Sequence, residues 1–203
     1  MLSQKKDIGC PVGKLNAALY DRFYDNAKSM DHGIFPWYAN AALGRPHEKL
    51  PEGLVLIASV KKIEFSVRML YDRLYAASEE FLEVCRELGV QMLDCVKIDV
   101  VSSLNKSIVS SQYYVVVFDV ADYDALVMSS SEVSEGMRGW INDFDQLDIR
   151  DSAPDLFRLN RLHPRIATLF CSDEFKRKLD GKGLKGIELL PLSKFSSQDL
   201  EAI

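Results

Sequence analysis

Hydrophobic and polar positions change period several times along this chain, and each change marks an element. Leu15, Ala18, Leu19 and Phe23 fall on one side of a helical projection, which predicts a short helix over 15–23. Gly33-Ile34-Phe35-Pro36-Trp37-Tyr38 is apolar, aromatic and interrupted by proline, and reads as a loop packed on a core. Gly44-Arg45-Pro46-His47 is a turn signal. The apolar run from Leu54 to Val60 fits a buried strand, or a buried helical turn. Ile63, Val67, Leu70, Tyr71 and Leu74 recur at helical spacing and predict an amphipathic helix. Ser78 then stands as an N-cap, with Glu79 and Glu80 in a first turn whose dipole favours carboxylates. Phe81, Val84, Cys85 and Leu88 make a buried stripe, and Gly89 is placed to stop the helix. Gln91 to Val100 alternates in part and reads as a strand, and Ser102 to Ser111 as a polar loop. Tyr113 to Phe118 is apolar on both faces, so it belongs at the centre of a sheet covered on both sides.

The segment after Ser172 repeats the one after Ser78 at a constant offset of 94. Ser78-Glu79-Glu80-Phe81 matches Ser172-Asp173-Glu174-Phe175, Gly89 matches Gly183, and Leu93-Asp94 matches Ile187-Glu188. Val96 and Ile98 match Leu190 and Leu192. Each copy reads as a short strand, a capped helix, a glycine stop and a second strand. The expected class is α+β, a mixed central β-sheet with flanking helices, built from two related strand–helix–strand half-units. Residues 1–62 are expected as an extension packed on a core formed by 63–203.

Composition narrows the classes. Of 203 residues, 47% are hydrophobic and 27% charged, with 11 Gly and 7 Pro, which excludes a disordered or collagen-like chain. The net charge of −5 argues against a broad nucleic-acid surface. That charge is concentrated: residues 119–150 hold eight acids against Arg138 and Arg150, whereas residues 1–50 carry a net +2. Asp119, Asp122, Asp124, Glu132, Glu135, Asp143, Asp145 and Asp148, with Trp140 among them, are the candidate partner-binding residues. Ile141 and Phe144 are further candidate anchors or core residues. No apolar run reaches membrane-spanning length and no secretory signal is legible near Met1. The four cysteines form no CxxC pair, as expected of reduced thiols in the cytoplasm.

Recognisable catalytic or metal-binding patterns are missing from the sequence. His32, His47 and His163 belong to no HExxH or zinc spacing, and neither a Walker A nor a GxGxxG loop occurs. Asp143-Phe144-Asp145 is a weak metal pair. Arg158, Arg161 and Arg165 with Lys176, Arg177 and Lys178 form a modest basic region. The alternation of Phe157, Arg158 and Leu159 there suggests a strand with a charged outer face. No catalytic residue, metal or cofactor is expected.

Phe157-Arg158-Leu159, Phe170-Cys171-Ser172-Asp173-Glu174-Phe175, Leu184-Lys185-Gly186-Ile187 and Leu190-Pro191-Leu192 together resemble the C-terminal signature of the family-eleven immunity proteins of bacterial polymorphic toxin systems. Tyr113-Tyr114-Val115-Val116 is similar to that family's Tyr-Tyr strand, and Asp122 and Asp124 both fit the Asp that follows it. The resemblance covers about residues 70–192 and is strongest over 156–192. It implies a non-catalytic protein that binds a cognate toxin domain and blocks its active site or access to it, and the acidic stretch 119–150 adds the expectation that the toxin's facing surface is basic. The alternatives are a small enzyme using Asp and His in a cleft, or a structural scaffold domain.

Overall fold

The computed structural model of the chain describes residues 1–43, 45–71, 73–121, 126–127, 131–136, 139–150, 153–159, 162 and 168–192. In chain order its strands and helices are β1 (Leu2–Gln4), β2 (Ala17–Tyr20), α1 (Pro36–Ala42), β3 (Val55–Ala58), β4 (Val67–Tyr71), β5 (Leu74–Ser78), α2 (Glu79–Glu87), β6 (Met92–Ser102), β7 (Tyr113–Phe118), β8 (Val120–Ala121), β9 (Glu132–Glu135), β10 (Ile141–Gln146), β11 (Leu156–Leu159), β12 (Phe170–Cys171), α3 (Asp173–Asp180) and β13 (Ile187–Leu189). Six strands form the central sheet in the order β2-β3-β6-β7-β5-β4. The β3–β6 pair is parallel and the others antiparallel, so the sheet is mixed. The fold is α+β and mostly β.

β7 lies inside this sheet, and its side chains alternate between two cores. Tyr113, Val115 and Val117 pack with Leu54, Leu56, Ile98 and Trp37 on one face. Val116 and Phe118 pack with Phe81, Leu82, Phe175 and Leu179 on the other. Each large side chain buried this way contributes about 1.5–3 kcal/mol. The second face is roofed by α2 and α3, the first by α1 and the segments around Cys10, Leu50 and Phe65.

The internal repeat is structural. Ser78 Oγ accepts from the Phe81 N–H at 3.4 Å, and Ser172 Oγ accepts from the Phe175 N–H at 3.0 Å. Gly89 and Gly183 follow the helices at φ +65° and +64°, a left-handed conformation that glycine adopts without steric cost. The units diverge after that. β6 enters the central sheet, while β13 pairs with β1 in a separate two-stranded ribbon.

Four sequence expectations are corrected. Residues 15–23 contain strand β2 in place of a helix: Ala17 and Leu19 face one cluster while Ala18 and Tyr20 face another, a period of two. The stretch 33–38 is no loop, since α1 begins at Pro36, where proline lacks nothing because the first N–H has no helical partner. The described residues from Ile63 to Leu74 form no helix. β4 and β5 make a hairpin there, Val67 opposite Ala77 and Met69 opposite Tyr75, because β7 offers β5 a complete ladder. β11 has no charged outer face either. All of it is buried, and the Arg158 guanidinium lies 5.9 Å from the Tyr75 ring centre.

Among the described residues, no helix is long and apolar enough to cross a membrane. The four cysteines are free thiols, Cys10 and Cys85 buried and the other two half-buried.

Candidate functional site

Several of the acids singled out by the sequence meet on one ribbon. β9 and β10 pair antiparallel, with Ile141 opposite Glu135 and Phe144 opposite Val133. A lone two-stranded ribbon is marginal in water. This one is held down by Ile141, Phe144 and Leu147, which are buried in a cluster with Leu126, Phe157, Leu159 and Phe170. Ile141 and Phe144 are therefore core residues and are not available as partner anchors.

The sequence Ile141-Asn142-Asp143-Phe144-Asp145-Gln146-Leu147 is apolar at every third position, which fits neither strand nor helix. Register shifts between Ile141 and Asp143, and between Phe144 and Gln146, absorb the mismatch. Two consecutive polar residues then face water between buried ones, so Asp143 and Asp145 are both exposed. Glu132 and Glu135 are exposed on β9. Trp140 precedes β10 and keeps 39% of its surface exposed. The Gly136 N–H donates to the Trp140 carbonyl at 2.7 Å, and Gly139 has φ +68°. A Cβ on Gly136 would lie 1.8 Å from Asn142 Nδ2, so the two arms touch at that point.

The remaining candidates sit elsewhere. Asp148 is half-buried just beyond the ribbon, its N–H donating to Ser131 Oγ at 3.0 Å and its carbonyl accepting from the Val127 N–H at 2.9 Å. Asp119 is exposed after β7, its N–H donating to the Gln91 carbonyl at 3.3 Å. Asp122 and Asp124 lie outside the described residues. Glu132, Glu135, Trp140, Asp143 and Asp145 thus share one surface element, an anionic strip with an aromatic residue beside its tip.

Among the described residues the basic region offers no free cationic cluster. Arg161, Arg165 and His163 lie outside the described residues, and Arg158 is buried. Lys176, Arg177 and Lys178 are occupied by Asp180, Glu174 and Glu87. Among the described residues no group of three His, Cys, Asp or Glu side chains is placed to hold a metal.

Sequence reasoning missed two arrangements. His47 Nε2 lies 3.0 Å from Asp94 Oδ2, and the buried Asp94 also accepts from the Leu50 N–H at 2.7 Å and the Cys95 N–H at 2.9 Å. This carboxylate ties the 47–50 segment to β6. Only tertiary proximity joins residues 47 apart, so no local motif signals the pair.

The second arrangement is a broad open groove of about 1270 Å³ along β2. Its wall is an edge-to-face series of rings: His32 to Tyr38 at 5.1 Å and Tyr38 to Tyr71 at 5.2 Å between centroids. The Tyr38 hydroxyl accepts from the Leu19 N–H at 2.7 Å. Burial pushes the Tyr38 phenol up to about 12, so it stays neutral.

The family model described as Immunity protein 43 matches residues 4–198. No curated protein matches the chain. The match agrees in kind with the resemblance to immunity proteins and corrects which family it is, 43 and not eleven. The residues behind that resemblance, such as Ser172 and Phe157, cap a helix or fill a core, roles that do not distinguish one such family from another.

Proposed function

The chain belongs to the immunity protein 43 family, and on that premise we propose that it neutralises a cognate bacterial toxin domain by covering its active site, with the β9–β10 ribbon as the docking face. The observation that carries this reading is the exposure of Glu132, Glu135, Asp143 and Asp145 on one two-stranded ribbon anchored from below. An immunity protein of this kind turns over no substrate. It needs a surface complementary to its target and a rigid base that holds that surface before contact.

An anionic ribbon supplies long-range attraction to a basic toxin face. Such steering raises association from about 10⁵–10⁶ M⁻¹s⁻¹ toward 10⁸–10⁹ M⁻¹s⁻¹ at low salt and penalises like-charged partners. Trp140 contributes a large, stiff contact surface beside the charges, and tryptophan is over-represented among residues that dominate binding energy. A cytoplasmic location suits this reading, because free thiols stay reduced there and a newly made toxin must be restrained there. The His47–Asp94 pair does not favour an enzyme, because Asp94 is already committed to two backbone donors of the fold.

The deciding experiment is co-expression with the toxin domain encoded beside this chain's gene. Restored growth together with co-purification at a fixed ratio is the expected result. Unrelieved toxicity, with the two proteins eluting separately, rejects the reading.

A further inference from the structure

The groove along β2 is a second surface that the acidic ribbon leaves unused. At about 1270 Å³ it exceeds the roughly 300–1000 Å³ of a small-molecule pocket, and it is open to solvent. Its size therefore suits a segment of polypeptide.

How that segment binds follows from the strand beneath it. β2 is an edge of the central sheet, where an added strand would ordinarily pair. Here the N–H of Leu19 donates to the Tyr38 hydroxyl at 2.7 Å, and the N–H of Ala17 donates to the Leu15 carbonyl at 2.9 Å. With those donors taken, the edge does not accept a new strand, and an occupant must be held by side chains.

Those side chains have a sign. Lys14 and Lys28 line the groove, against the single acid Asp25. Lysines on and after α3 are neutralised, Lys178 and Lys182 by Glu87 and Lys185 by Glu64. Lys14 and Lys28 have no ion pair among the described residues. Beside them Tyr71 and Leu104 keep 40% and 74% of their surface exposed, apolar area that a bound segment can cover.

We propose that this groove is a second contact surface for the toxin, taking an extended acidic segment whose carboxylates meet Lys14 and Lys28 while its apolar side chains cover Tyr71 and Leu104. The inference rests on the immunity reading and adds to it a contact of opposite polarity. A partner that must satisfy an anionic ribbon and a cationic groove at once is selected more narrowly than one satisfying either.

The test uses the intact chain and the neighbouring toxin domain as probe. Association and dissociation are measured for the wild type, for the double reversal Lys14→Glu with Lys28→Glu, and for Tyr71→Ser. Separately, a photoreactive benzoylphenylalanine replaces Leu104 and the cross-linked toxin peptide is identified. Both lysines are exposed and have no ion pair among the described residues, so the reversal is expected to leave the thermal midpoint unchanged while association at low salt slows about tenfold. Tyr71→Ser is expected to speed dissociation, and the cross-linked peptide to hold more Asp and Glu than Lys and Arg. Unchanged association in the first variant with unchanged dissociation in the second overturns the inference, as does a cross-link to a basic toxin segment or to a second copy of this chain. In each of those cases wild-type neutralisation persists, so the immunity reading stands. A toxin domain that never binds the wild type overturns both.

Discussion

Phe81 and Phe175 meet with ring centroids 5.8 Å apart and planes at 64°. Each is the third helical residue after its own serine cap, so the contact joins equivalent points of the two repeat units. The repeat is thereby used in the core: each cap aims a phenylalanine at its counterpart, beneath the β7 residues Val116 and Phe118.

Phe175→Ala should lower stability by about 3–5 kcal/mol, because a fully buried ring is lost and the helix above β7 cannot collapse onto the gap. Urea unfolding of the single variants and of Phe81→Ala with Phe175→Ala gives the coupling. An edge-to-face pair predicts about 0.5–1.5 kcal/mol of it. Strict additivity would show that the rings act only as separate fillers.

Gly186→Ala is expected to be among the most damaging small changes. Gly186 has φ +70°, and a Cβ there would come 2.8 Å from the Cys10 Cβ and 2.9 Å from the Phe65 Cβ. The left-handed backbone costs a non-glycine residue about 1–2 kcal/mol. Overpacking adds about 1–3 kcal/mol. Denaturant midpoints of Gly186→Ala and Gly53→Ala make the comparison, since Gly53 shares the backbone strain but has nothing within 4 Å of its Cβ position.

Asp143→Lys combined with Asp145→Lys should slow toxin association about tenfold at low salt and leave dissociation little altered. The difference should fade toward 1 M salt, where the screening length is about 3 Å. Asp148 stays unchanged in this variant because it is half-buried and its main chain clamps the base of the ribbon. Stopped-flow association at two ionic strengths checks it, and an unaltered rate at low salt removes the ribbon as the docking face.

Stability should fall as pH rises above about 9. Burial pushes the Cys85 thiol from 9.0 up to about 12 and the Tyr38 phenol from 10.0 up to about 12. Between the unfolded and folded values the unfolded chain releases these protons while the folded one retains them. It therefore binds fewer protons, and stability declines with rising pH by up to about 1.4 kcal/mol per unit for each group. Below pH 9 both groups are protonated in either state and contribute no slope. Urea midpoints at pH 8, 10 and 11 test this, and Cys85→Ala should reduce the slope that begins near pH 9.

Local chemistry was legible in the sequence. The capping serines Ser78 and Ser172, the glycines Gly89 and Gly183, and the doubly apolar run Tyr113–Phe118 all act within a few residues, so their structures followed from spacing alone. So did the concentration of acids between residues 119 and 150. Tertiary structure decided the rest. Ile63, Val67, Leu70 and Leu74 satisfy helical spacing, yet the open edge of β7 drew Leu74–Ser78 into a ladder. Arg158 alternates like a surface residue, yet it is buried with the rest of β11, its guanidinium over the ring of the distant Tyr75. The groove brings together residues as distant as Lys14, Tyr71 and Leu104, and its guarded edge depends on a tyrosine 19 positions from the N–H it occupies. A cap or a turn is an interaction of the chain with its near neighbours and is written in order. An edge, a buried cation or a groove depends on which distant segment arrives alongside, and that depends on how all the apolar faces are covered at once.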